Sequence, residues 1–138
     1  MRKIICVLIL STFLGCNSKI GGIKNGVFEL YEKDSLVGKI YRLGNYQIEK
    51  YPNSSELIAR IDYKTDSTYL LSGIEKNKKG IDSIIWLNNY TKISKNKFRI
   101  VATAINSNID YKYEAVLLKI EEKINKEYLE KLNSLNLK

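Results

Sequence analysis

Leu36-Val37-Gly38-Lys39-Ile40-Tyr41-Arg42-Leu43-Gly44-Asn45-Tyr46-Gln47-Ile48-Glu49-Lys50-Tyr51 is the stretch that decides the fold class. Two runs rich in aromatic and β-branched residues flank Gly44-Asn45, and glycine and asparagine tolerate positive φ, so the segment reads as two strands joined by a tight hairpin. Pro52-Asn53-Ser54-Ser55 ends the second strand and puts the only proline of the chain in a turn. The same grammar continues on both sides. Upstream, residues 28–32 alternate and Lys33-Asp34-Ser35 turns the chain. Downstream, residues 57–63 set Leu57, Ala59 and Ile61 against Ile58, Arg60 and Asp62, and Lys64-Thr65-Asp66 leads to a strand over 67–74.

After a charged loop at 75–80, residues 81–87 form the most apolar strand, and Asn88-Asn89 separates it from a short stretch at 90–94. Phe98, Ile100, Ala102 and Ala104 then share one face, with Arg99, Val101 and Thr103 opposite, and residues 109–120 make the last long strand, with Tyr111, Tyr113, Ala115 and Leu117 on one side. Such alternation puts one face of a sheet in a core and leaves the other near water. The period changes at the C-terminus: Ile124, Tyr128, Leu132 and Leu135 recur every three or four residues beside Leu129, predicting an amphipathic helix over about 124–136 capped near Asn125. At about three turns this helix needs a hydrophobic partner and is expected to dock on the sheet. The expected architecture is mainly β: an antiparallel up-and-down meander of about eight strands, as a barrel or a strongly bent sheet, with one C-terminal helix that plugs or flanks it. A two-sheet sandwich is the competing arrangement.

The N-terminus carries a different signal. Arg2 and Lys3 precede an apolar run over 4–14, followed by Gly15-Cys16. The run is about 16 Å long as a helix, too short for a bilayer core of about 30 Å, so it reads as a secretory signal rather than a transmembrane span. Phe13-Leu14-Gly15-Cys16 resembles the lipobox of bacterial lipoproteins, in which a peptidase cuts before a cysteine that carries a diacylglyceryl group; Phe13 stands where Leu is usual. The expected organisation is a lipoprotein signal at 1–15, lipidated Cys16 with a flexible tether to residue 25, and one domain over 26–138. Because Asn17, Ser18 and Lys19 follow Cys16 rather than an acidic cluster, the expected location is the periplasm-facing side of the outer membrane.

The 138-residue chain holds 23 Lys and Arg against 15 Asp and Glu, a formal charge of +8 that falls when Arg2 and Lys3 leave with the signal. The excess is scattered Lys, whereas arginine is the residue that grips phosphate bidentately, so a nucleic-acid partner is not expected. Histidine is absent, and both cysteines are used by export, Cys6 within the signal and Cys16 at its cleavage site. That removes disulfides, the preferred zinc ligands and any His-centred triad. Ser83 and Asp82 are strand neighbours that point to opposite faces and so form no catalytic pair. Glu29, Glu49, Asp62 and Glu114 are spaced strand carboxylates, expected in cross-strand ion pairs with Lys39, Arg60 or Arg99 rather than as a hydrolytic pair. No phosphate loop, calcium loop or cofactor motif is present, and Asn53-Ser54-Ser55 and Asn89-Tyr90-Thr91 are chance glycosylation matches in a bacterial chain. No catalytic residue, metal or cofactor is expected.

Ten tyrosines fall largely in or beside strands, where they serve cross-strand packing or form an aromatic wall for sugars, lipids or peptides. Trp86, the single tryptophan, is either a core anchor or, facing a barrel interior, the best marker of a pocket together with Tyr111 and Tyr113.

Asn25-Gly26-Val27-Phe28-Glu29, the segment 42–51 with Gln47 and Glu49, and Ser83-Ile84-Ile85-Trp86-Leu87-Asn88 are similar to elements of a group of small lipoproteins from Bacteroidota. The likeness runs loosely over residues 26–105 and omits the helix. It implies the compartment and β-architecture but no reaction. Members often carry a cysteine shortly after the Trp-x-Asn element, where Asn89 and Tyr90 stand here, so a family disulfide does not carry over. The expected function is that of a monomeric, non-enzymatic envelope lipoprotein. It would bind an unknown envelope protein or, alternatively, act as a calyx-like carrier of a small apolar ligand or as an inhibitor or immunity protein.

Overall fold

A computed structural model describes residues 22–53, 55–74 and 84–138. The signal, Cys16, the tether up to residue 21, Ser54, the charged loop at 75–80 and residues 81–83 with Asp82 and Ser83 lie outside the described residues. Eight strands follow one another: β1 (Gly26–Glu32), β2 (Ser35–Leu43), β3 (Tyr46–Lys50), β4 (Glu56–Thr65), β5 (Thr68–Gly73), β6 (Ile85–Lys92), β7 (Lys97–Ala104) and β8 (Lys112–Glu121). Each pairs antiparallel with the next, and β1 pairs with β8, so the meander closes into a barrel without an edge. Closure removes the unpaired backbone row that an open sheet would expose.

The hairpin read first from the sequence has Leu43 opposite Tyr46, with Gly44 at φ 60° between them. The β1–β2 turn is stranger, since Lys33 and Asp34 both adopt positive φ, 47° and 64°, without being glycine. Asn88-Asn89 is not a break. Both residues pair within β6, Asn88 against Tyr69 and Ala102, because ladders on either side fix the backbone and override the turn preference of asparagine. The expected 90–94 stretch is therefore the continuation of β6. Likewise β8 begins only at Lys112, so Tyr111 precedes the strand and is exposed, rather than sharing the inward face with Tyr113.

Inward residues alternate along every strand. Phe28, Leu30, Ile40, Ile61, Tyr69, Phe98, Ile100 and Leu117 form the interior core, and a chain of rings runs Tyr63, Tyr69, Tyr90, Phe98, Phe28 at centroid spacings of 5.8, 6.0, 6.4 and 6.5 Å. The second core lies outside the barrel. Helix α1 (Lys126–Asn136) starts at Asn125, whose side chain accepts the Tyr128 N–H, and lays Tyr128 and Leu132 on the outer face of β2 and β3. Tyr128 stacks on Tyr41 with ring centroids 3.9 Å apart, while Ile124 and Leu132 pack with Val27 and Ile48. The helix therefore flanks the barrel and does not plug it.

The chain itself plugs one end. Residues 22–25, expected as the last part of a flexible tether, are packed: Ile23 is buried in the interior core, its carbonyl accepts an Arg42 N–H at 3.0 Å, and Lys119 Nζ donates to the Gly22 carbonyl at 3.0 Å. Asn25 Oδ1 accepts the Gly44 N–H, tying the plug to the β2–β3 hairpin. On the other side of that hairpin, Asn136 donates to the Leu43 carbonyl and accepts the Asn45 N–H.

Candidate ligand cavity

An eight-stranded barrel is just wide enough either to be filled by its own side chains or to hold one small ligand. Here small inward residues tip the balance. Ala59 on β4, Gly73 on β5, Ala102 on β7 and Ala115 on β8 leave a cavity of about 270 Å³, which runs from the plugged floor to the opposite end. Its walls are Leu30, Ile40, Leu71, Ile100 and Leu117, and Leu57, Ile84, Trp86, Tyr51, Tyr111 and Tyr113 surround the mouth. Trp86 faces inward beside Asn88 and is half-buried; it is a mouth residue rather than a core anchor. Trp86, Tyr111 and Tyr113, singled out from the sequence, thus come together at one rim, with Tyr111 exposed and Tyr113 donating to Glu32 Oε1. Leu36 at the start of β2 and Ile74, Ile105 and Ile109 in the connections are exposed at this same end.

The floor was not anticipated. Arg42, 1% exposed, projects inward from β2 opposite Gln47 and gives Nε–H and Nη2–H to Gln47 Oε1 at 2.9 and 2.5 Å. Its remaining contacts are the Ile23 carbonyl and, at 3.3 Å, the Tyr69 hydroxyl. Its guanidinium lies 5.5 Å from the Phe28 ring centroid, and Lys119 Nζ lies 5.6 Å from the same centroid. Burial works against the Arg42 charge, but Tyr69, Tyr63 and Glu49 around it more than offset this and hold its pKa above the ordinary value. Gln47 passes the interaction on, donating Nε2–H to Glu49 Oε1, while Tyr51 donates its hydroxyl to Glu49 Oε2. Asn88, also buried, donates to the Trp86 carbonyl. Burial in this network, then the charge of Glu49, pushes Tyr51 up from the ordinary tyrosine range; burial, then the bond to Glu32, does the same to Tyr113.

The carboxylates weighed from the sequence separate onto two faces. Glu49 is the one carboxylate lining the cavity among the described residues. Glu114 pairs with Arg99 across β7 and β8 at 3.3 Å, as expected, whereas Asp62 pairs with Lys64 and Glu29 accepts from Tyr31. A signal for the floor did exist, since Gln47, Glu49 and Tyr51 alternate on one face of the β2–β3 hairpin and Arg42 stands opposite Gln47. No helix among the described residues is long and apolar enough to cross a membrane. Comparison with known proteins finds no matching family model, no matching curated protein and no matching solved structure.

Proposed function

We propose that this chain is a lipid-anchored envelope protein whose barrel holds a small, mainly apolar ligand. The cavity of about 270 Å³ carries the reading: four small inward residues hold open a space that larger side chains would have filled, and its wall is apolar with a few convergent polar groups. That composition is the usual form of a small-molecule site. Attachment through Cys16 at the periplasmic side of the outer membrane follows from the signal and from the resemblance to Bacteroidota lipoproteins. The exposed Leu36, Ile105, Ile109 and Tyr111 at the mouth favour a second reading, in which a partner protein docks on this rim.

Trp86 is the only tryptophan and lines the cavity, so its fluorescence reports occupancy directly. Full-length Cys16→Ala protein titrated with decanol is expected to show a saturable Trp86 change, and Ala102→Leu, which fills the cavity from its wall, is expected to abolish it while the far-UV spectrum is kept. Saturation unaffected by Ala102→Leu would move the ligand out of the barrel. Labelled palmitate entering the wild-type protein but not Cys16→Ala tests the anchor. Processing and membrane retention of Cys16→Ala would sink it.

A further inference from the structure

We propose that the ligand is a single-chain carboxylic acid, its head group seated on Arg42 at the cavity floor and its acyl chain running to the mouth. The inference rests on the cavity being a ligand site. Arg42 lines that cavity, is fully buried, and among the described residues makes no ion pair with a carboxylate; Gln47, the Ile23 carbonyl and the Tyr69 hydroxyl, its hydrogen-bond partners, are all neutral. Glu49 reaches Arg42 only through Gln47; a buried cation whose direct hydrogen-bond partners are all neutral is costly, and a charge-assisted bond to an arriving carboxylate relieves that cost.

The floor also has a spare donor. Tyr69, which lines the cavity, accepts an Arg42 N–H and, among the described residues, donates to no acceptor. Its hydroxyl proton lacks an acceptor that a carboxylate would bring. Lys119 adds positive potential on Phe28, but its own charge is already met by Glu122 at 2.9 Å and the Gly22 carbonyl, which leaves Arg42 as the cation to be matched. The opposing charge is Glu49. Its two oxygens are taken by Gln47 and Tyr51, and it sits beside the path of the chain, where its repulsion weakens binding of an anion without blocking Arg42.

Size selects one chain. From Gln47, level with Arg42, to Tyr51 at the mouth is four residues, about 13 Å at ~3.3 Å per residue. Together with about 270 Å³ of space, this admits one medium-length acyl chain and excludes a two-chain phospholipid.

Decanoate, decanol and decyltrimethylammonium share a chain and differ in head group. Titrated into full-length Cys16→Ala protein and followed by Trp86 fluorescence, decanoate is expected to bind at least about tenfold more tightly than decanol, as a charge-assisted bond implies, and the cation not to bind. Arg42→Met is expected to bring decanoate down to the decanol affinity. Because that variant removes a buried group on which the floor depends, Glu49→Gln carries the test independently: it should raise the ratio of decanoate to decanol affinity severalfold. Equal binding of decanoate and decanol, or a Glu49→Gln variant that treats both alike, overturns the head-group assignment and leaves the cavity as a ligand site. A Trp86 signal that no member of the series moves overturns both.

Discussion

The two ends of this barrel are built on opposite chemistry. At the plugged end, where solvent is excluded, the interior places two buried cations, Arg42 and Lys119, beside the Phe28 ring, and the backbone of residues 22–25 is drawn in to supply carbonyl acceptors. At the opposite end, where polar groups would cost least, the described residues set Trp86, Tyr111, Leu57, Ile84 and the exposed Ile105 and Ile109 around the Tyr51–Glu49 and Tyr113–Glu32 pairs. Stability and solubility alone would favour a different distribution, because a buried charge without a direct carboxylate partner, as at Arg42, is costly and exposed apolar clusters invite association. The arrangement is the one that the proposed ligand, an apolar chain with a polar terminus, would require.

The contrast breaks most visibly under truncation of one aromatic at each end. Phe28→Ala, at a fully buried ring between two cations, is expected to destabilise the fold by about 3–5 kcal/mol, whereas Trp86→Ala at the half-buried mouth should cost under about 1.5 kcal/mol, both read from urea unfolding. A larger loss for Trp86→Ala would mean that the mouth, not the floor, holds the barrel together.

Alkali should act next. Burial and the neighbouring carboxylates Glu49 and Glu32 raise Tyr51 and Tyr113 above the ordinary tyrosine value, and burial with the bond to Glu56 pushes Tyr128 up to about 12. The unfolded chain sheds these protons near pH ~10 while the folded chain keeps them. Their stabilisation is therefore complete below that pH and declines as the pH rises toward 12 and beyond. The melting temperature should fall over that interval in the wild type. Tyr51→Phe and Tyr113→Phe should each flatten the decline, and an unchanged slope in both would remove the mouth hydroxyls from the account.

The smallest effects compare the hairpins. A Cβ on Gly44, at positive φ, would lie 2.7 Å from Asn136 Oδ1, so Gly44→Ala at the plugged end is expected to cost about 1–2 kcal/mol. Asp34, at positive φ in the β1–β2 turn, should instead gain about 0.5 kcal/mol as Asp34→Gly, since glycine adopts that conformation without strain. Thermal unfolding of the two variants checks the opposite signs.

Strand count, the alternation of β4 and β7, and the Asn125-capped helix were legible in the sequence because each is a local, periodic pattern. The floor was harder to read for a definite reason. In the β2–β3 hairpin both faces are buried: Tyr41, Leu43 and Ile48 lie under the helix, and Arg42 and Gln47 point into the barrel. Hydropathy alone would send the apolar set inward and the charged set to water, and only the docking of a distant helix reverses that assignment. Asn88-Asn89 misled in the same way, a turn-like pair held straight by its neighbours. Trp86, Tyr111 and Tyr113 could be picked out because aromatic residues are conspicuous, but their meeting at one rim depends on closure, which no short pattern encodes.

The plug also sets a direction. The first described residues, 22–25, lie on the floor side, and the six residue steps from Cys16 to Gly22 can span at most about 20 Å. With the proposed lipid on Cys16, the point of attachment would therefore lie within that reach of the floor, and the mouth would lie about a strand's length beyond the floor, at the barrel's other end. Anchor and ligand entrance would then belong to opposite ends of one small barrel.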